Sequence, residues 1–103
     1  RRLEAEFPAG ITAIEFGSVK PQKVAVLTGS GRSALNELKS VETDTLITGE
    51  LRQEHFNLAQ EEGLNLYVCG HYATERYGVQ ALGEHLAREF GLEHRFIEIR
   101  NPV

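Results

Sequence analysis

Val24-Ala25-Val26-Leu27-Thr28-Gly29, Thr45-Leu46-Ile47-Thr48-Gly49 and Leu66-Tyr67-Val68-Cys69-Gly70 are three versions of one phrase: a short apolar or β-branched run that ends on glycine. Runs of this kind, without regular polar alternation, mark buried strands that enter a turn. The glycines stand 20 and 21 residues apart. A leucine-rich solenoid has a similar period, but its L-x-x-L-x-L consensus is missing. The spaces between the runs carry helical periodicity instead. Ala34, Leu35, Leu38 and Val41 share one stripe, as do Phe56 and Ala59. Val79, Leu82, Leu86 and Phe90 step by three, four and four residues, with charged residues and His85 on the other face. Gly63 and Gly91 each follow a helical segment where a left-handed cap is wanted.

Outward from this centre, Thr12 to Phe16 reads as a strand, and Gly17 to Gln22, with Pro21, as the linker into Val24. Arg1 to Phe7 reads as the tail of a helix. Arg95 to Ile99 alternates as a closing strand, which Pro102 stops. The order α-β-β-α-β-α-β-α-β predicts an α/β fold: a three-layer α/β/α arrangement around a mainly parallel sheet of about five strands. Thr12–Phe16, reached by a short linker, is the candidate antiparallel edge strand.

The 103 residues amount to one domain, 1–103, and 41% apolar with 25% charged residues is an ordinary globular balance. A net charge of −4 argues against nucleic acid as a partner. No run approaches the length of a membrane span, and no apolar region follows Arg1-Arg2 as in a signal peptide. Cys69 is the single cysteine, which excludes an internal disulfide and fits a reducing, cytoplasmic setting. A chain that starts at Arg1 and contains no methionine is read as a piece of something longer.

In such sheets the ligand site lies beyond the carboxyl ends of the strands. Three loops meet there: Gly29-Ser30-Gly31-Arg32-Ser33, Gly49-Glu50 and Gly70-His71-Tyr72-Ala73-Thr74-Glu75. The first is either an anion cradle with Arg32 beside it or a tight turn in which Ser30 or Ser33 caps a helix. It is neither a Walker A loop nor a complete dinucleotide fingerprint. Glu50 is either an acid/base or ligand-orienting group, or a carboxylate at a helix start. His71 and Glu75 are four residues apart, on one face if a helix starts after the strand. Imidazole and carboxylate can then converge on one divalent ion; the alternative is an ordinary surface pair. Two ligands do not complete a site, since a catalytic zinc takes about three protein ligands. His55 reads as a solvated helix residue, and His85 and His94 fall away from this edge.

Leu46-Ile47-Thr48-Gly49-Glu50, Gly70-His71-Tyr72-Ala73-Thr74-Glu75-Arg76, Gly78-Val79, Ala81-Leu82 and the closing Ile97-Glu98-Ile99 with Asn101-Pro102 resemble the dinuclear-metal proteins known as GTP cyclohydrolase I type 2 homologues. The resemblance runs from about Lys23 to Val103 and more loosely back to Arg1. It implies that His71 and Glu75 are metal ligands. It further implies that a paired-histidine motif and a later Asp complete two divalent sites (zinc, iron, manganese or cobalt) from an N-terminal half. The chain departs from many relatives in carrying Glu54 where they have histidine, with His55 one position late. The resemblance also implies a homo-oligomer, a hexameric ring with the metal pairs facing its cavity. The reading is the C-terminal half of a metal-dependent hydrolase of a small, nucleotide-like substrate, with Glu50 a candidate catalytic residue. Its rivals are a non-catalytic metal-binding or ring-assembly module and a generic nucleotide-binding α/β domain. An apolar docking surface is expected around Thr12–Phe16 and the face holding Leu3 and Phe7.

Overall fold

A computed structural model describes residues 1–101. Four of the predicted strands form one sheet: β1 (Thr12–Glu15), β2 (Ala25–Ser30), β3 (Thr45–Glu50) and β4 (Asn65–Val68). The spatial order is β1-β4-β3-β2. β2, β3 and β4 run parallel, and β1 joins β4 antiparallel at the edge, as its short linker requires. The helices are α1 (Arg2–Glu6), α2 (Arg32–Leu35), α3 (Glu54–Glu62) and α4 (His71–Phe90). Gly63 and Gly91 end α3 and α4 in the left-handed conformation, in agreement with their positions in the sequence.

The register explains the core. Ala25 pairs with Leu46, Leu46 with Leu66, and Leu66 with Ile14, so one apolar row crosses all four strands. Leu35 and Leu38 from the α2 region and Ala59 and Leu64 from the α3 region cover that row. Leu46 and Leu66 are fully buried. Each such side chain contributes about 1.5–3 kcal/mol. The next row, Val26, Ile47, Tyr67 and Ala13, faces the other way and stays half open, with Val26 66% exposed. α4 contacts β2 and β3 but adds nothing to the core cluster, which puts it on that second face. Thr74, in its first turns, is its buried residue. Its 20 residues span about 30 Å, and the molecule measures 50 × 27 × 25 Å. Its radius of gyration of 15.6 Å exceeds the roughly 13 Å of a compact chain this long.

Two expectations need correction. Arg95–Ile99 forms no strand, so the sheet has four strands rather than about five. The segment instead runs back along α4. Glu98 pairs with Arg76 at 3.1 Å, and the His94 ring lies over Gly83, in space that any side chain at that position would fill. Phe96 is half-buried and Ile97 exposed, as in a strand, but no strand pairs with them among the described residues. Pro102, expected to stop that strand, lies outside the described residues. The helix after Gly31 is also shorter than its stripe: it closes at Leu35, and turns carry Leu38 inward while Val41 stays 52% exposed. In the region where an apolar surface is expected, Phe16 is exposed and packs edge-on to the exposed Phe56. Leu3, Phe7 and Ile14 are half-buried, with Phe7 edge-on to Tyr77 at 5.8 Å. Val79, Leu82, Leu86 and Phe90 are the exposed stripe.

Candidate metal centre

The carboxyl ends of the three parallel strands are stitched together by backbone and one hydroxyl. The Cys69 and Gly70 amides donate to the Thr48 and Gly49 carbonyls, each at 2.8 Å, and the Gly31 amide donates to the Glu50 carbonyl at 3.1 Å. Thr74, buried one turn into α4, accepts from the Gly29 amide at 3.0 Å. Its hydroxyl donates toward the Gly70 carbonyl at 2.9 Å. The start of α4 is thereby fixed to the end of β2 across β3. Sequence reasoning misses Thr74; the available signal is a hydroxyl one turn beyond a strand-ending glycine.

β2 carries a bulge at this point. Leu27 pairs with Thr48 and Ser30 with Glu50, so β2 spends one more residue than β3 over the same stretch. Gly29 takes the strain at φ +69. The Thr48 hydroxyl, fully buried, donates to the Leu27 carbonyl at 2.6 Å. The bulge presents Gly29 directly to the two candidate ligands: a Cβ there would lie 2.5 Å from Glu75 Oε1 and 3.2 Å from His71 Nε2. A hydrogen at this position is what leaves room around both donors.

Glu50, His71 and Glu75, singled out from three different parts of the sequence argument, meet here. His71 Nε2 lies 3.3 Å from Glu75 Oε1, and Nδ1 lies 3.6 Å from Glu50 Oε1. All three side chains are partly exposed. Gly49, Glu50, Gly70 and His71 line a cleft together with Ala9 to Thr12. Glu75 turns to the imidazole rather than to Arg76, whose guanidinium is engaged by Glu98. The two carboxylates address opposite ring nitrogens, so they do different work. Glu75 and Nε2 can share one ion, while Glu50 stands 3.6 Å from Nδ1, a carboxylate beside the ring just outside hydrogen-bond distance. Among the described residues no group of three or more His, Cys, Asp or Glu side chains is arranged to hold a metal ion. One imidazole nitrogen and one carboxylate oxygen are a donor pair whose chemistry suits a divalent ion.

The other candidates sort clearly. His85 and His94 sit far along α4 and on the returning segment, away from this edge. His55 contradicts its reading as a solvated residue: it is 8% exposed, and its Nδ1 accepts from the Arg52 amide at 2.8 Å, closing the turn into α3. Cys69 is buried just past β4, and burial pushes its thiol above the usual range, away from the thiolate form.

A parallel sheet with a bulged, glycine-lined carboxyl edge and a His–Glu pair at the start of the following helix defines the class: an α/β domain with its polar side chains gathered at the strand ends. The chain belongs to the DUF34/NIF3 (NGG1p interacting factor 3) family, whose model matches residues 1–102. A GTP cyclohydrolase 1 type 2 homolog of Allochromatium vinosum is 46% identical over 96 residues, 93% of this chain and 37% of that protein. The crystal structure of TTHA1606 from Thermus thermophilus superposes with a TM-score of 0.88 at 32% identity, covering 99% of this chain and 41% of that one. The protein ybgI, described as of unknown function, superposes at 0.87 with 36% identity, over 98% and 41%. The chain thus spans about two-fifths of the length of these relatives. No helix among the described residues is long and apolar enough to cross a membrane.

Proposed function

We propose that this chain supplies one side of a divalent-metal centre in a longer, metal-assisted hydrolase that acts on a nucleotide-like small molecule. The observation that carries the reading is the convergence of His71 Nε2 and Glu75 Oε1 at 3.3 Å over a glycine bulge, with Glu50 behind the other ring nitrogen. His71 and Glu75 would hold the ion, one of two in the complete centre, with zinc, iron, manganese or cobalt all suited to mixed nitrogen and oxygen ligation. A divalent ion bound there supplies Lewis acidity, lowering the pKa of a water and polarising the bond under attack. Glu50 stands beside His71 and is the available proton acceptor at this edge. The names of the relatives support a guanine nucleotide as the first substrate to assay.

Isothermal titration with Zn²⁺ and Mn²⁺ tests the reading. One weak, chelator-reversible site is expected, lost in His71→Ala and in Glu75→Ala. Equal binding by wild type and both variants would contradict it. An assembly role is the second reading, supported by the exposed stripe of Val79, Leu82, Leu86 and Phe90, which has the make-up of a subunit contact in a homo-oligomeric ring. A strictly monomeric scattering mass at high concentration would contradict that role.

A further inference from the structure

The Gly29–Ser30–Gly31 turn has a second side. Gly29 faces His71 and Glu75, whereas Ser30 lines a separate open cleft of about 760 Å³ between α2 and α3. That volume falls in the range of small-molecule sites, roughly 300–1,000 Å³. Ser30, Arg32, Ser33, Asn36, Glu54 and His55 supply its polar lining. The side chains of Ser30, Arg32, Ser33 and Asn36 have no hydrogen-bond or ion-pair partner among the described residues. His55 is the buried member. Because its Nδ1 accepts the Arg52 amide, a neutral ring carries its hydrogen on Nε2. Glu54 Oε1 stands 3.8 Å from Nε2, beyond hydrogen-bond reach, on a side chain 67% exposed and able to leave for solvent.

The cleft thus gathers two hydroxyls, an amide, an imidazole N–H and a guanidinium, all donors without an internal acceptor. Ser30, Arg32, Ser33 and Asn36 are solvent-exposed and His55 is buried beneath them, so their donors are open to an incoming ligand, and a cluster of donors around one guanidinium matches an acceptor-rich one. A phosphate has that chemistry: charge for Arg32 and several oxygens for the neutral donors. A long polyanion does not suit a chain of net charge −4, so a small molecule is the occupant.

We propose that Ser30, Arg32, Ser33, Asn36 and His55 bind the phosphate of a phosphorylated small molecule whose reacting end lies across the Gly29 turn at His71 and Glu75. The inference deepens the proposed function and rests on it for the substrate class, while the phosphate site itself stands on the cleft alone. The test is ¹H–¹⁵N NMR of the chain titrated separately with inorganic phosphate, guanosine and guanosine triphosphate. Inorganic phosphate should shift the amides of residues 30–36 and 55 saturably, guanosine should not, and the triphosphate should compete with phosphate. Arg32→Gln should weaken phosphate binding about tenfold, as loss of a charged hydrogen bond implies, and Ser33→Ala should weaken it less. Phosphate that shifts none of these amides, or that binds Arg32→Gln as it binds wild type, overturns the proposal. A parallel Zn²⁺ titration read at His71 separates the two claims. Zinc bound without phosphate removes the cleft and keeps the metal reading; phosphate bound without zinc removes the metal reading and keeps the cleft.

Discussion

At the amino end of the strands, Asp44 accepts from both the amide and the hydroxyl of Ser18 at 2.7 Å, and from the Thr45 hydroxyl at 2.9 Å. Asn65 beside it, 2% exposed, accepts from the Gly17 amide and donates to the Ser18 carbonyl and Thr45. At the carboxyl end of the same strands, Glu50, His71 and Glu75 stand 3.3 to 3.6 Å apart, close but not locked, and the donors around Ser30 and Arg32 have no acceptor. Both ends are rich in polar groups. One uses them to tie β1 and its linker to the sheet, and the other keeps them available. Satisfaction within the chain, rather than polarity, separates structure from site.

The sharpest break of this comparison is substitution at each end. Asn65→Leu puts an apolar side chain beside the buried Thr45 hydroxyl and takes the partner from the half-buried Gly17 amide, and a buried group left unpaired costs about 1–3 kcal/mol. Its melting temperature should fall by roughly 10 °C or more. His71→Ala should leave stability within about 0.5 kcal/mol while removing metal binding. Calorimetry and metal titration of both variants check the pair; equal destabilisation would erase the distinction between the ends.

Gly29→Ala tests the bulge that separates them from ordinary strand ends. Positive φ disfavours alanine by about 1–2 kcal/mol, and the new methyl meets Glu75 Oε1 and His71 Nε2. Urea unfolding should show that modest loss, and metal titration a much larger one. Unchanged metal affinity would mean that the glycine serves the turn alone.

The smallest effect concerns pH. Hydrogen bonds from the Ser18 hydroxyl and amide hold the Asp44 carboxyl below the usual carboxylate range. A lowered folded-state value means its stabilisation is present above the unfolded value of about 3.9 and is lost as pH falls through the folded value. Asp44→Asn should therefore lower stability modestly near neutrality, where the carboxylate contributes, and flatten the acid limb below about pH 4, so that variant and wild type converge at low pH. Urea midpoints at several pH values check it; an unaltered acid limb would show that Asp44 contributes no titrating stability.

The contrast within α4 shows how far the sequence can be read. Three apolar runs ending on glycine are enough to place β2, β3 and β4, and with them the edge where Glu50, His71 and Glu75 meet. The best helical stripe, Val79 to Phe90, reads as core-facing and is exposed, because periodicity reports an apolar face without reporting what covers it. The first turns of α4 are anchored by Thr74, whose role depends on a bulge in β2 that no local pattern encodes. Arg95–Ile99 fails as a strand for a related reason: alternation gives strand character, but a partner edge is a tertiary property. His55 escapes a sequence reading because its burial comes from the turn that its own Nδ1 closes, a contact within three residues that composition does not reveal.

Which nitrogen of His71 takes the ion decides between a metal centre and a surface pair. Long-range ¹H–¹⁵N NMR of the imidazole rings, with and without Zn²⁺, reads this directly. The prediction is a large shift of His71 Nε2 on zinc binding, with Nδ1 keeping its hydrogen toward Glu50 and with His85 and His94 unmoved. Ligation through Nδ1, or zinc that shifts His85 and His94 and leaves His71 unchanged, would contradict it.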